Sequence, residues 1–293
     1  MASNSPRPNK AERNSNAREQ AAKIREQQES AGKRKSLFIK LGVVLAVVLV
    51  VVLIAAIIMQ NNRGAVADTG NAPRGGNAGG GITLISDTAV ADTSGITVDV
   101  NSLPPVPVSD PANPVTPKPR DVVTAPKGQP INILLYVDAN CVHCADFEGQ
   151  YADQFATWLG AGDVTVEYRN VSYLNSGTNF SSRAANALAC VANSAAPSYL
   201  PFSKALFAHY PEGEMSNKQL AAMAKDNGAD VGSCISDGTF RPFVKFTDQA
   251  ARVDGIAGTP SIFIQGKEWT PPAGQGFEAF GPAVQAAIDA NKK

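Results

Sequence analysis

Nineteen consecutive positions, 41–59 (LGVVLAVVLVVVLIAAIIM), carry neither a charge nor a hydrogen-bonding side chain. As a helix rising ~1.5 Å per residue, such a run spans about 28 Å, the depth of a bilayer core. A buried helix of a soluble protein normally keeps one polar face, and this run has none. The pattern predicts a single transmembrane helix. After it the chain is polar or rich in Gly and Pro as far as residue 129. Within that stretch only residues 96–100 alternate apolar and polar side chains, in the manner of an edge strand.

Regular periodicity begins at Ile131. INILLYVD is a continuous apolar run of strand length, as expected for a strand buried on both faces of a sheet. After Cys144 the large apolar residues Phe147, Tyr151, Phe155, Trp158 and Leu159 fall at the spacing of one buried helical face. VTVEYRNV (164–171) alternates with period two and completes a βαβ unit. From 181 to about 254 the chain is Ala-rich with helical spacing, broken at Pro197, Pro211 and Gly228, which predicts four or five helices and no strand. SIFIQ (261–265) predicts a strand, 267–270 a short partner after a turn at Gly266, and 277–291 a closing helix. The order is β-α-β, helical block, β-β-α, with no internal repeat.

Charge changes this picture by giving the chain a direction. The formal net charge is zero, yet residues 1–40 hold ten Lys/Arg against four Asp/Glu, and residues 64–293 hold fifteen against twenty-two. Lys33, Arg34, Lys35 and Lys40 precede the apolar run and only Arg63 follows closely. The positive-inside rule therefore places the N-terminus in the cytoplasm and everything beyond about residue 60 outside it. A basic head on an acidic body does not fit a nucleic-acid binder, whose basic residues cluster on the folded domain. Ala65-Val66-Ala67 offers an A-x-A cleavage site, but the apolar run exceeds the ~7–15 residues usual for a signal peptide. An uncleaved anchor is favoured, and cleavage after Ala67 stays open.

Four parts follow: a basic, disordered cytoplasmic tail (1–40), a transmembrane helix (41–59), an extracytoplasmic linker (60–129) and a domain (130–293). Residues 4–30 are too polar to bury a core. The linker contains RGGNAGGG (74–81), and nine of the chain's twenty prolines lie between 101 and 130. That composition predicts a disordered spacer that holds the domain clear of the membrane.

The candidate chemistry is Asp138-Ala139-Asn140-Cys141-Val142-His143-Cys144, a C-x-x-C pair between a strand and the first turn of a helix. Free N–H groups of a first turn and the helix dipole stabilise a thiolate on Cys141. His143 can add positive charge or a hydrogen bond. Each favours the dithiol over the disulfide, which makes the pair a stronger oxidant. Zinc would need a second ligand pair, and Cys190 and Cys234 are 44 residues apart without a neighbouring Cys or His. Haem attachment needs a His at 145, where alanine stands. A structural disulfide is the remaining alternative. No metal or cofactor is expected.

A second motif, Gly255-Ile256-Ala257-Gly258-Thr259-Pro260-Ser261-Ile262-Phe263-Ile264, opens a strand with proline. A strand, C-x-x-C at a helix start, a helical insertion and Thr-Pro before the next strand resemble the thioredoxin fold over 131–291. Within it, Cys-Val-His-Cys and the Thr-Pro strand are similar to the DsbA-like thiol:disulfide oxidoreductases, of the membrane-anchored bacterial type. The resemblance implies an α/β, thioredoxin-like fold with a helical insertion at about 181–254. It also implies a cis Thr259–Pro260 bond beside the redox pair, and a Thr259 backbone that holds an extended substrate polypeptide as an added strand. Cys141 would attack and Cys144 would resolve. The chain departs from the family pattern at Val142, where proline is common, and at Leu135, where some members have a buried acid; Asp138 is a substitute carboxylate.

An exported compartment favours a disulfide between Cys190 and Cys234, which would stabilise the insertion by roughly 4 kcal/mol on the chain-entropy model. Trp158 and Trp269 are read as packing residues and His209 as a helix-end residue. The expected function is introduction of disulfides into reduced exported polypeptides, followed by reoxidation by a membrane partner. A reductase or isomerase on the same fold, and a non-catalytic binding adaptor, are the alternatives.

Overall fold

The computed structural model describes residues 65–292, except 109, 111–114 and 123, together with 23, 25, 48 and 50–52. The chain divides into two units, Met1–Ala65 and Val66–Lys293. In the first unit the described residues before Ala65 are helical, and all, Ala65 included, are exposed. Most of the predicted tail and most of the predicted membrane helix lie outside the described residues. Among the described residues no helix is long and apolar enough to cross a membrane.

In the second unit the strands are β1 (Thr69–Asn71), β2 (Ile82–Leu84), β3 (Thr97–Asp99), β4 (Ile131–Val137), β5 (Val164–Asn170), β6 (Ser261–Ile264) and β7 (Lys267–Trp269). The helices are α1 (Val142–Gly160), α2 (Phe180–Ser194), α3 (Tyr199–Ala208), α4 (Asn217–Asp226), α5 (Gly232–Asp237), α6 (Arg241–Val253) and α7 (Phe280–Lys292). The main sheet has the order β2-β5-β4-β6-β7. β4 and β5 run parallel, with Ile133 opposite Val166, and β6 returns antiparallel to β4, with Leu135 opposite Ile262. The central strand is buried on both faces, as its unbroken apolar run requires.

On one face lies α1. Its Phe147, Phe155 and Trp158 surround Phe280 of α7, with ring centroids 5.0, 5.9 and 6.2 Å away, and Trp269 closes the cluster at 5.1 Å. Both tryptophans therefore pack, as expected. A smaller cluster on Leu134, Tyr136, Val171, Ala251, Ile256 and Phe263 has Val122 and Tyr173 against it. The helical block has five α-helices, and a disulfide between Cys190 of α2 and Cys234 of α5 joins two of them. His209 caps the C-terminus of α3.

The predicted linker differs most from expectation. Residues 66–103 fold onto the domain: β2 extends the main sheet by pairing with β5, and Ile82 and Leu84 are buried. β3 forms where alternation predicted a strand, but it pairs with β1 in a separate two-stranded sheet. Glycine in 74–81 serves close approach rather than flexibility. A Cβ at Gly79 would lie 2.5 Å from Arg169 Nη2, and one at Gly81 would collide with the Glu167 carboxyl. Glycine therefore lets this segment lie against a buried polar network. In it, Arg169 is 1% exposed and donates to Glu167 Oε1 (2.7 Å), Tyr136 Oη (2.8 Å) and the Arg120 carbonyl oxygen (2.8 Å).

Candidate active site

Strand β4 ends at Val137, and the turn 138–140 delivers Cys141 as the N-cap of α1. Asp138 organises that turn. It is buried, one carboxylate oxygen accepts the Asn140 N–H (2.8 Å), and the other accepts the Leu174 N–H from the loop after β5 (2.8 Å). Burial pushes the Asp138 carboxyl above the usual range, against the pull of those two N–H groups. The expectation of a carboxylate near the pair is met in place, with the group turned inward and bound to backbone. Leu135 lies in the core.

The two sulfurs are not equivalent. Cys141 is 4% exposed and Cys144 is 0% exposed, and both are free thiols. The Cys141 Sγ accepts the Cys144 backbone N–H at 3.4 Å. As a thiol it also donates to the Thr259 carbonyl oxygen at 3.4 Å. A hydrogen bond from the Cys144 thiol, then one from the Thr259 side chain and those from the N–H groups of Cys144 and His143, push the Cys141 thiol down to about 6; burial works against them. Cys144 moves the opposite way. Burial, and the neighbouring Cys141 sulfur that accepts its proton, hold it far above the ordinary thiol value. Position at a helix start produces this asymmetry, since first-turn N–H groups converge on the N-cap sulfur while the residue three further on turns into the core.

His143 departs from its expected placement. Its ring is largely exposed, with Nδ1 3.9 Å from Asp146 Oδ2, so the N–H of His143 rather than its imidazole serves the sulfur. Asp146, three residues on, lies along the same exposed helix face.

Thr259 and Pro260 arrive from the other end of the chain. Their peptide bond is cis, both residues are half-buried, and Ala257 and Gly258 before them are exposed. Their position beside Cys141 brings the two motifs together across 118 residues. Cys190 and Cys234 lie elsewhere, as a disulfide within the helical block.

Three features had no clear forecast. Asn140 Nδ2 reaches the Leu174 carbonyl oxygen (3.1 Å) and Glu214 Oε1 (3.3 Å), which ties the turn before Cys141 to the helical block. Tyr173 donates to the Ile256 carbonyl oxygen (2.8 Å), which links the loop after β5 to the loop carrying Thr259. Glu148, one turn beyond Cys144, is fully buried, and burial pushes its carboxyl up to about 8. Only Glu148 left a local signal, because it stands among core positions of α1.

The arrangement holds one sulfur as a ready nucleophile and keeps a second behind it, beside an exposed stretch of backbone. No cluster of metal-binding side chains occurs among the described residues. No curated protein matches the chain. It is similar to solved structures of MdbA, a thiol-disulfide oxidoreductase from Corynebacterium diphtheriae (26% identity over 58% of this chain and 87% of that one, TM-score 0.47). It is also similar to the disulfide bond oxidoreductase DsbG of Mycobacterium tuberculosis (25% identity, 63% and 94%, TM-score 0.47). A third is the MdbA thiol-disulfide oxidoreductase of Actinomyces oris (22% identity, 54% and 82%, TM-score 0.48). Residues 125–285, more than half of the chain, match the family described as thioredoxin, and the chain belongs to that family.

Proposed function

We propose that the protein is a DsbA-like thiol:disulfide oxidoreductase, anchored by residues 41–59 with its redox domain outside the cytoplasm, that introduces disulfides into exported polypeptides. The observation that carries this reading is the split between the two thiols, Cys141 pushed down to about 6 and Cys144 held far above the ordinary value. At pH 7 a thiol of pKa about 6 is ~90% ionised, whereas one near 8.5 is ionised by only a few per cent. That difference favours the dithiol over the disulfide by about 1.4 kcal/mol, or about 30 mV toward a stronger oxidant. The disulfide at Cys190–Cys234 supports an oxidising compartment, as do the charge asymmetry and the apolar run.

In the forward reaction a substrate thiolate attacks Cys141 Sγ of the Cys141–Cys144 disulfide. The Cys141–Cys144 bond breaks and a mixed disulfide forms, with Cys144 leaving as a thiolate that takes up a proton. The substrate's second thiolate then attacks the substrate sulfur of the mixed disulfide. Cys141 leaves as a stabilised thiolate, two electrons stay on the enzyme, and a membrane-bound oxidant takes them to restore the disulfide. Sulfur alone carries this chemistry. The backbone at Thr259, ahead of the cis Pro260, is the edge on which an extended client lies beside Cys141.

Equilibration of the full-length protein against glutathione tests the direction of flux. The expected potential lies above the about −270 mV of thioredoxin, toward the about −120 mV of the most oxidising members. A value at or below that of thioredoxin would make the protein a reductase and overturn the proposal.

A further inference from the structure

The segment 115–122 precedes the family match, which begins at residue 125, yet it packs against the root of the loop that carries Thr259 and Pro260. Arg120 grips Asp254 at three points. Its backbone N–H donates to Oδ2 (2.9 Å), its Nη2 donates to Oδ1 (2.7 Å), and its Nε donates to both Oδ1 and Oδ2 (2.9 and 3.1 Å). The Lys118 N–H donates to the Asp254 carbonyl oxygen at 2.8 Å. Next in the chain, Gly255 has φ +77° and lies directly under this segment, where a Cβ would come within 2.7 Å of Val115 Cγ1. Val122 then packs with Ile256 in the smaller apolar cluster, and Tyr173 donates to the Ile256 carbonyl oxygen.

The loop root at 254–256 is thus held both by the 115–122 segment and by Tyr173, while Ala257 and Gly258 are exposed. Only residues 256–258 separate Asp254 and Gly255 from Thr259, so displacement at the root is passed to the backbone facing Cys141. Asp254 is 8% exposed, and without Arg120 its nearest cation is Arg169, 3.8 Å away and already bound to Glu167. A bidentate guanidinium fixes both distance and plane of a carboxylate, which a point charge does not.

We propose that Arg120 is a positioning residue for polypeptide substrates: through Asp254 it holds the 254–258 loop so that the Thr259 backbone presents an ordered edge beside Cys141. The inference rests on the reading of the protein as an oxidoreductase acting on polypeptides. A small thiol reaches Cys141 without that edge, so Arg120 should matter far more for peptides than for glutathione.

The test uses Arg120→Gln and Arg120→Lys in the full-length protein. Arg120→Gln is expected to raise KM for a reduced dithiol peptide by about threefold to tenfold with kcat unchanged, while the rate of exchange with glutathione, which senses Thr259 only through its contact with Cys141, moves by less than about twofold. Arg120→Lys keeps the charge without the fork and should fall between it and the wild type, and it carries the comparison if the Gln variant does not fold. Hydrogen exchange at Gly255 and Ile256, whose N–H groups donate to the Arg252 and Ala251 carbonyl oxygens, should quicken by about tenfold in the Gln variant. An unchanged KM in a folded variant overturns the proposal, as does an equal loss with peptide and glutathione. Failure of the wild type to oxidise the peptide at all would defeat the oxidoreductase reading instead. In that event the exchange rates at 255 and 256 still decide whether Arg120 holds the loop, and unaltered rates reject it.

Discussion

Cys144→Ser, reduced and mixed with oxidised glutathione, is expected to accumulate a stable mixed disulfide on Cys141, while Cys141→Ser forms almost none. The rates should differ by about three orders of magnitude or more, because both thiolate fraction and access favour the first sulfur. The residual exposure of the pair belongs to Cys141, and Cys144 is both fully buried and held protonated. Both variants lose turnover, since neither can form the Cys141–Cys144 disulfide, and mass spectrometry of the adducts separates their roles. Comparable adduct formation on Cys144 would show that the two sulfurs are equivalent and that the asymmetry described above does not govern the chemistry.

Arg169→Leu is expected to lower the stability of the folded domain by about 3–5 kcal/mol, the usual cost of breaking a buried pair by removing one partner. The change leaves the Glu167 carboxylate, the Tyr136 hydroxyl and the Arg120 carbonyl without the donor they share. Arg169 is also the group against which Gly79 lies, so the loss should spread to β2, at the edge of the sheet. Urea denaturation measures the first effect, and hydrogen exchange at residues 82–84 the second. A loss below about 1 kcal/mol would mean that the buried network contributes little beyond packing.

Elements with a period of their own were legible in the sequence. The unbroken apolar run of β4, the three-and-four spacing of α1 and the alternation in β5 each state how many faces are buried, so their existence and order follow from side chains within a dozen residues. The strap of residues 66–103 was for the most part not legible. Alternation registered only at β3; β1 and β2 are three residues long, too short for it, and the glycines have the composition of a coil while serving contact with Arg169 and Glu167. Cys141 was legible because both the C-x-x-C spacing and the helix start are local. Arg120 and Asp254 are 134 residues apart, and Tyr173 and Ile256 are 83 apart, so nothing near either partner announces the pair. The His143 ring faces solvent beside Asp146, a choice among rotamers that residue type alone does not fix.

The account stands on the Cys141 thiolate. The rate of alkylation of the reduced protein, followed from pH 4 to pH 10 with Cys144→Ser as a control for assignment, reports that ionisation directly. The expected profile rises through an inflection near 6, with Cys144 in the wild type unreactive over the same range. An inflection near the ~8.5 of an ordinary thiol would contradict the account.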